Sequence, residues 1–168
     1  PAHGRSEGRL FNVPMYSRLI QQFLGQNETS IILSHSLGAF STMYLLSKKP
    51  ELSPKKVIAL GTPNNADFFI DEFIRVLGLS PVIRKNLVNY FSNYSGMKTS
   101  DFDSKLFAKN QKSSGLIIHD KRDVEAPFNY AKDMAEIWPK SIFVETDGLG
   151  HKLRHDFVVK EVMEFMEK

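Results

Sequence analysis

One stretch of the chain, TSIILSHSLGAFSTMYLL at residues 29–46, contains a strand and a helix with a very short turn between them. Residues 30–33 form an apolar run rich in isoleucine, which is typical of a buried parallel strand. From residue 39 to residue 46 the apolar side chains follow helical spacing. The turn is so sharp that we expect backbone strain at its apex, Ser36, and a hydroxyl held above the sheet edge.

This turn resembles the nucleophile elbow of the α/β-hydrolase family, G-x-S-x-G, with Ser34 in place of the first glycine and Gly38 as the second. The resemblance implies that Ser36 is a nucleophile. It also implies that the backbone amide of Leu37, at the positive end of a helix, stabilises an oxyanion. A serine-rich turn with no catalytic function could have the same five residues. Other parts of the chain must therefore decide between a catalytic and a purely structural turn.

Three further buried strands are predicted after the elbow, each followed by a short turn. They are KVIAL at residues 56–60, GLIIH at 115–119 and SIFVE at 141–145. Helices are predicted from Asn12 and Pro14 to Gly25, over residues 128–138 and over residues 157–166. This alternation indicates an α/β fold with a parallel sheet flanked by helices, which the resemblance identifies as the α/β-hydrolase fold.

Two more candidate site residues follow strand ends, where the strands of a parallel sheet share one edge. Asp123 lies in HDKRDVEAP, residues 119–127, which resembles the family's H-G-x-x-D-x-x-x-P with Asp120 replacing the glycine. His151 lies in Gly150-His151, which resembles the family's histidine loop. The order Ser36, Asp123, His151 is the order of the α/β-hydrolase triad, so we predict these three as the catalytic residues.

Other residues compete for the same two functions. For the acid, Asp120 is nearer the strand end, and Asp67 follows the second strand, a position that some members of the family use. For the base, the alternatives are His155, His119 and His35. We expect His155 to face solvent, His119 to be a core histidine and His35 to shape the turn beside the nucleophile.

Residues 67–114 break the strand and helix alternation with about fifty residues of helical pattern, more than a crossover needs. Apolar side chains such as Phe69 and Phe73 form a wide stripe there. In the α/β-hydrolase family this position holds a lid that covers the nucleophile and shapes the acyl pocket. We therefore divide the chain into a hydrolase core, residues 1–66 and 115–168, and a helical lid, residues 67–114.

Composition narrows the function classes. The chain has 168 residues, enough for one domain, and its net charge of +3 is scattered, which argues against nucleic acid as a partner. It has no cysteine, so thiol catalysis is excluded and a reducing compartment such as the cytoplasm is permitted. No apolar run reaches the length of a membrane span. No metal or organic cofactor is implied, and the pattern says nothing about oligomeric state.

The first residues suggest a chain that lacks part of the family's sheet. His3, Gly4 and Ser6 resemble the H-G-x-S segment that follows the fourth strand in many α/β-hydrolases. We therefore expect about four more strands before Pro1, together with the loop that supplies the second oxyanion donor. Residues 1–168 alone are then expected to be poorly soluble or associated, and nearly inactive.

The sequence thus predicts a serine hydrolase acting on carboxylic esters, such as acylglycerols or esters of small apolar acyl groups, as its small-molecule substrates. Thioester, amide and carbon–carbon bond hydrolysis on the same scaffold stay open. So does a non-catalytic protein that uses the lidded pocket to hold a ligand.

Overall fold

The computed structural model describes Arg5, Glu7 and residues 12–168. A four-stranded sheet forms its centre, with all strands parallel and in chain order. The strands are β1 (Ile31–His35), β2 (Lys56–Leu60), β3 (Ser114–Asp120) and β4 (Ser141–Thr146). Strand β1 runs two residues beyond its predicted end, and the Ser36 amide extends the pairing by donating to the Leu60 carbonyl at 2.9 Å. The predicted fold class is confirmed.

Seven α-helices of the described residues surround this sheet. They are α1 (Val13–Gln26), α2 (Leu37–Lys48), α3 (Ala66–Val76), α4 (Val82–Ser95), α5 (Ser104–Lys109), α6 (Phe128–Ile137) and α7 (Asp156–Glu167). Side-chain caps fix several of their starts. The Asn12 side chain accepts from the Met15 amide at 2.8 Å, and the Asn65 side chain accepts from the Phe68 amide at 2.8 Å. The capping pattern therefore sets where α1 and α3 begin.

Alternate residues of the central strands point to opposite faces, and each face has its own apolar core. Val57, Ala59 and Ile117 pack on one face, against α2, α5 and α6. Ile58 and Leu116 pack on the other, against α7. Both faces of the central strands are thus covered, as a parallel sheet requires.

A glycine lets Trp138 pack directly on the sheet. A Cβ atom at Gly115 would lie 2.6 Å from Cε2 and Cζ2 of the buried indole ring. The indole Nε1 donates to the Ser113 carbonyl at 3.0 Å, which fixes the ring over the start of β3. The close approach of ring and backbone therefore depends on the absence of a side chain at Gly115.

Strand β1 lies at one side of the sheet. Within the described part of the chain its only strand neighbour is β2. Leu33 is paired with Ile58 across this ladder, yet 55% of its surface is exposed, whereas Ile58 is fully buried. The expectation of further strands beside β1 stays a prediction.

The helices α3, α4 and α5 lie between β2 and β3 in the chain. The Arg84 guanidinium joins α4 to α3, with Nε 2.6 Å from Asp71 Oδ1 and Nη2 2.9 Å from Asp67 Oδ1. Phe107 and Ala108 of α5 instead lie in the core beneath α2 and α6. Helices α3 and α4 are thus joined to each other, while α5 packs against α2 and α6.

Candidate active site

Ser36 lies between β1 and α2, and its backbone has a conformation that residues with a side chain rarely adopt. Its φ is 52° and its ψ is −127°, and apart from Leu153 no other non-glycine residue in the described ranges has a positive φ. Such strain, of order 1–3 kcal/mol, persists only where the surrounding structure imposes it. Two hydrogen bonds hold this conformation. The Ser36 amide donates to the Leu60 carbonyl, and the Phe40 amide donates to the Ser36 carbonyl at 3.0 Å.

The small residues on either side of Ser36 in the elbow, Ser34 and Gly38, have different surroundings. The Ser34 hydroxyl donates to the Ile58 carbonyl of the adjacent strand at 3.0 Å, so serine at this position is held by a specific bond. A Cβ at Gly38 would meet nothing among the described residues closer than the Tyr16 ring, with its Oη at 3.8 Å. The described structure therefore leaves room for a side chain at Gly38, and only Ser36 is conformationally strained.

His151 joins Ser36 to Asp123. Its Nε2 lies 2.8 Å from the Ser36 Oγ, and its Nδ1 lies 2.8 Å from the Asp123 Oδ2. Because an ionised carboxylate only accepts hydrogen bonds, Nδ1 carries the proton in the neutral ring and Nε2 accepts from the serine hydroxyl. The three predicted residues thus form one continuous hydrogen-bonded chain, although 115 residues separate Ser36 from His151.

The Asp123 side chain has no exposed surface. Its Oδ1 accepts from the amides of Glu125 and Ala126, each at 2.9 Å, while Oδ2 faces His151. This turn orients one oxygen toward the backbone and leaves the other for the imidazole. Each carboxylate oxygen of Asp123 is thus within hydrogen-bond distance of nitrogen donors on both sides.

His119 is a second buried histidine beside Asp123. Its Nε2 lies 2.6 Å from the Ala126 carbonyl and 3.3 Å from the Asp123 Oδ2, and both are acceptors, so Nε2 carries the proton. The buried Nδ1 has no hydrogen-bond partner among the described residues. Burial lowers the pKa of His119, against the opposing effects of the Ala126 carbonyl and the Asp123 carboxylate. His119 is therefore a neutral core histidine with no contact to Ser36.

The two other candidate bases lie elsewhere. The His35 Nε2 donates to the backbone carbonyl of His151 at 2.8 Å, and the two rings are 4.9 Å apart. His155 is exposed and begins α7, where its Nδ1 accepts from the Phe157 amide at 3.1 Å. His35 thus contacts the loop of His151 as well as the elbow, which the sequence pattern did not show.

Neither alternative acid reaches an imidazole. Asp67 pairs with Arg84 on the α3 and α4 helices. Asp120 is fully buried and accepts four hydrogen bonds from backbone amides and a hydroxyl near the ends of β3 and β4. Of the three carboxylates, Asp123 is the one within hydrogen-bond distance of His151.

An apolar cavity of about 370 Å³ opens beside the elbow. Its lining includes Leu37 and Phe40 of α2, Phe69 and Ile70 of α3, and Phe91 of α4. A neighbouring cavity of about 430 Å³ shares several of these walls and continues between α3 and α4. Helical periodicity predicted the apolar stripe of α3, and the family resemblance implied a lid that shapes an acyl pocket, but the sequence did not show which side chains would face Leu37.

Other site types find no support in the described residues. They contain no group of three histidine or acidic side chains placed to hold a metal ion. None of their helices is long and apolar enough to cross a membrane. The predicted H-G-x-S resemblance at His3, Gly4 and Ser6 lies outside the described residues.

Comparison with known proteins gives matches in structure alone. No protein-family profile matches the sequence, and no curated protein matches it. A monoacylglycerol lipase from Paleococcus ferrophilus superposes with a TM-score of 0.72 at 17% identity, covering 98% of this chain and 79% of the lipase. A Mycobacterium tuberculosis protein described as a non-heme bromoperoxidase gives 0.69 at 15% identity, with coverage of 99% and 78%.

A third match widens the range of reactions. The meta-cleavage product hydrolase of Pseudomonas fluorescens gives a TM-score of 0.65 at 14% identity, covering 98% of this chain and 75% of that enzyme. At such identities the likeness establishes the architecture, a parallel sheet flanked by helices. The protein therefore has the α/β-hydrolase fold.

Proposed function

We propose that the protein is a serine hydrolase that cleaves carboxylic esters of apolar acyl groups. The observation that carries the proposal is the unbroken chain of hydrogen bonds from the Ser36 hydroxyl through His151 to Asp123, with both distances at 2.8 Å. A serine hydroxyl is a weak nucleophile until a base takes its proton, and the base needs an anion to orient it. All three groups are present in the required order.

In the proposed reaction Ser36 Oγ attacks the ester carbonyl while its proton passes to His151 Nε2. Asp123 keeps the imidazole oriented and stabilises its positive charge. The tetrahedral intermediate then expels the alcohol, which takes the proton from Nε2. Water attacks the acyl-enzyme with His151 again as base, releasing the acid and restoring the serine. These steps need no metal or organic cofactor.

The Leu37 amide is the proposed oxyanion donor. It is the first residue of α2, where backbone N–H groups have no partner within the helix and the helix dipole is positive. One such donor contributes about 10²–10³-fold in rate. A second donor is expected from the loop that the family places before this part of the sheet.

We further propose that α3 and α4, within the lid predicted for residues 67–114, act as the lid and that the 370 Å³ cavity binds the acyl group. The cavity is lined mainly by apolar side chains and has the volume usual for small-molecule sites. Leu37 contributes both its amide to the oxyanion site and its side chain to the cavity wall. An acyl chain in the cavity would thus lead to the carbonyl beside Ser36.

The structural matches support a hydrolase and do not decide between ester and other substrates. One match is a monoacylglycerol lipase. Another is a meta-cleavage product hydrolase. Carbon–carbon bond hydrolysis is therefore the main alternative within the same fold.

A fluorophosphonate probe tests the nucleophile directly. We expect the probe to label the unmodified protein and the matched control Ser47→Ala, whose hydroxyl bonds only the Tyr44 carbonyl in its own helix, but not Ser36→Ala. Labelling of Ser36→Ala as strong as that of the unmodified protein would overturn the assignment.

Turnover of p-nitrophenyl esters of short and long acyl chains tests the reaction. Turnover should be abolished in Ser36→Ala, fall by about 10⁴-fold in Asp123→Asn and stay near native in Asp67→Asn. Tight retention of a ligand without turnover would instead favour a binding protein. Loss of turnover in Asp67→Asn with normal turnover in Asp123→Asn would show that the acid is wrong.

A further inference from the structure

Asp120 is a fully buried carboxylate that the triad does not use. Its Oδ1 accepts from the amides of Arg122 at 2.9 Å and Gly148 at 3.2 Å. Its Oδ2 accepts from the Thr146 hydroxyl at 2.7 Å and the Leu149 amide at 2.8 Å. Each oxygen therefore has two donors, and each donor lies within a few residues of a triad residue.

These donors come from two separate segments. One segment is the acid loop, residues 121–127, which carries Asp123. The other is the histidine loop, residues 147–151, together with Thr146 at the end of β4, and it carries His151. A further backbone bond joins the two segments, since the Lys121 amide donates to the Thr146 carbonyl at 2.8 Å.

We propose that Asp120 is a positioning residue whose carboxylate ties the acid loop to the histidine loop and so sets the distance between Asp123 and His151. This inference rests on the proposed hydrolase function. The Arg122 amide adjoins Asp123, and the Leu149 amide lies two residues before His151. A shift of either loop would change the bond that orients the imidazole.

The ionised form of Asp120 fits this site, because all the groups within hydrogen-bond distance of its carboxylate are donors. Burial raises the pKa of Asp120, but hydrogen bonds from the Thr146 hydroxyl and the amides of Leu149 and Arg122 lower it more, to about 2. Gly148 reaches its donating position at a φ of 94°, which favours glycine. In Asp120→Asn, the side-chain NH₂ group would face N–H or O–H donors in place of the carboxylate oxygen that accepts from them.

Kinetics of the full chain test the proposal with Asp120→Asn and with Asp120→Gly, which restores the glycine of the family pattern. Since a displacement of about 1 Å can cost about 10²-fold in rate, we expect kcat to fall 10- to 100-fold in both variants while KM changes less than threefold. The matched control is Asp147→Asn, which removes from the same loop a carboxylate whose ion pair with Arg122 is exposed on the surface. It should keep native kcat.

A second pair of variants covers the case in which Asp120 variants do not fold. Thr146→Val removes one donor to Asp120 and should lower kcat several-fold, whereas Thr146→Ser keeps the hydroxyl and should restore it. Native kcat in a folded Asp120→Asn protein, or in Thr146→Val, would overturn the proposal.

A measurement without substrate tests the positioning by Asp120 independently of the proposed hydrolase function. In ¹⁵N-histidine-labelled protein, the Nδ1 proton of His151, assigned with His151→Gln, should give a protected downfield NMR signal. We expect Asp147→Asn and Thr146→Ser to keep this signal and Asp120→Asn and Thr146→Val to shift or lose it. An unchanged signal in the latter variants would overturn the positioning function even if the protein hydrolysed no ester.

Discussion

The Asp120→Asn substitution should reduce stability by an amount that depends on pH. In the native protein the pKa of Asp120 lies at about 2, compared with an ordinary value of 3.8. Each unit of pKa difference corresponds to 1.36 kcal/mol, so the charged form stabilises the fold by about 2 kcal/mol at neutral pH. Asparagine cannot carry this charge, and it also leaves amide donors facing the Thr146 hydroxyl.

The sign of the effect follows from the lowered pKa. A depressed carboxyl pKa contributes stability that is fully present above pH 3.8 and is lost as the pH falls toward 2. The difference in stability between native protein and Asp120→Asn should therefore be constant between pH 7 and pH 5. It should shrink below pH 4, because the native residue then becomes neutral as well.

Urea unfolding at a series of pH values, followed by circular dichroism, measures this difference. Asp147→Asn provides the control, because its ion pair with Arg122 is exposed on the surface and such pairs contribute little. A difference for Asp120→Asn that is independent of pH down to pH 2 would refute the reasoning. So would a variant as stable as the native protein at pH 7.

Three other changes have defined outcomes. Gly115→Ala places a Cβ 2.6 Å from the Trp138 ring and should lower the urea-derived stability by about 1–3 kcal/mol. Gly61→Ala forces a side chain at a φ of 52° to within 3.3 Å of the His151 carbonyl, and should lower kcat at least about tenfold in the p-nitrophenyl ester assay. His119→Gln should reduce the loss of stability as the pH falls below 6.5, measured by urea unfolding, because burial lowers the pKa of His119 and the unfolded chain takes up its proton first.

Each of these outcomes has its own counter-result. Gly25→Ala is the control for Gly115→Ala, since a Cβ at Gly25 meets no described atom within 4 Å and should be neutral or stabilising. Equal stabilities of the two alanine variants would contradict the packing argument. Native kcat in Gly61→Ala would mean that the histidine loop can shift to accommodate the added methyl group without loss of activity. If the stability of His119→Gln falls with decreasing pH as steeply as that of the native protein, groups other than His119 cause the fall.

The sequence predicted the sheet and the places of three site residues because both depend on local patterns. Apolar runs of strand length identified all four strands, and positions just after strand ends selected Ser36, Asp123 and His151. In a parallel sheet such positions meet at one edge whatever the loops do. The structure brings the three side chains together, and their catalytic functions remain proposals.

The function inferred for Asp120 could not be predicted, because it depends on how two distant loops approach each other. In the sequence Asp120 was a replacement for glycine and a rival acid. Its bonds to Thr146 and Leu149 span 26 and 29 residues, and no local pattern determines them. The family resemblance implied a pocket under the lid, but the side chains that line the cavity beside Leu37 could not be predicted, since helix stripes do not specify which surfaces they face.

The separation of Ser36 from His151 also bears on how the protein folds. Closing a loop of 115 residues costs about 4 kcal/mol in chain entropy on the logarithmic scaling, before any contact compensates for it. Every strand pair in the described ranges is parallel and joined by a crossover, so these residues contain no β-hairpin that could form early and locally. The hydrogen bond between Ser36 and His151 should thus be among the last contacts to form, and during refolding ester turnover should recover after helical circular dichroism.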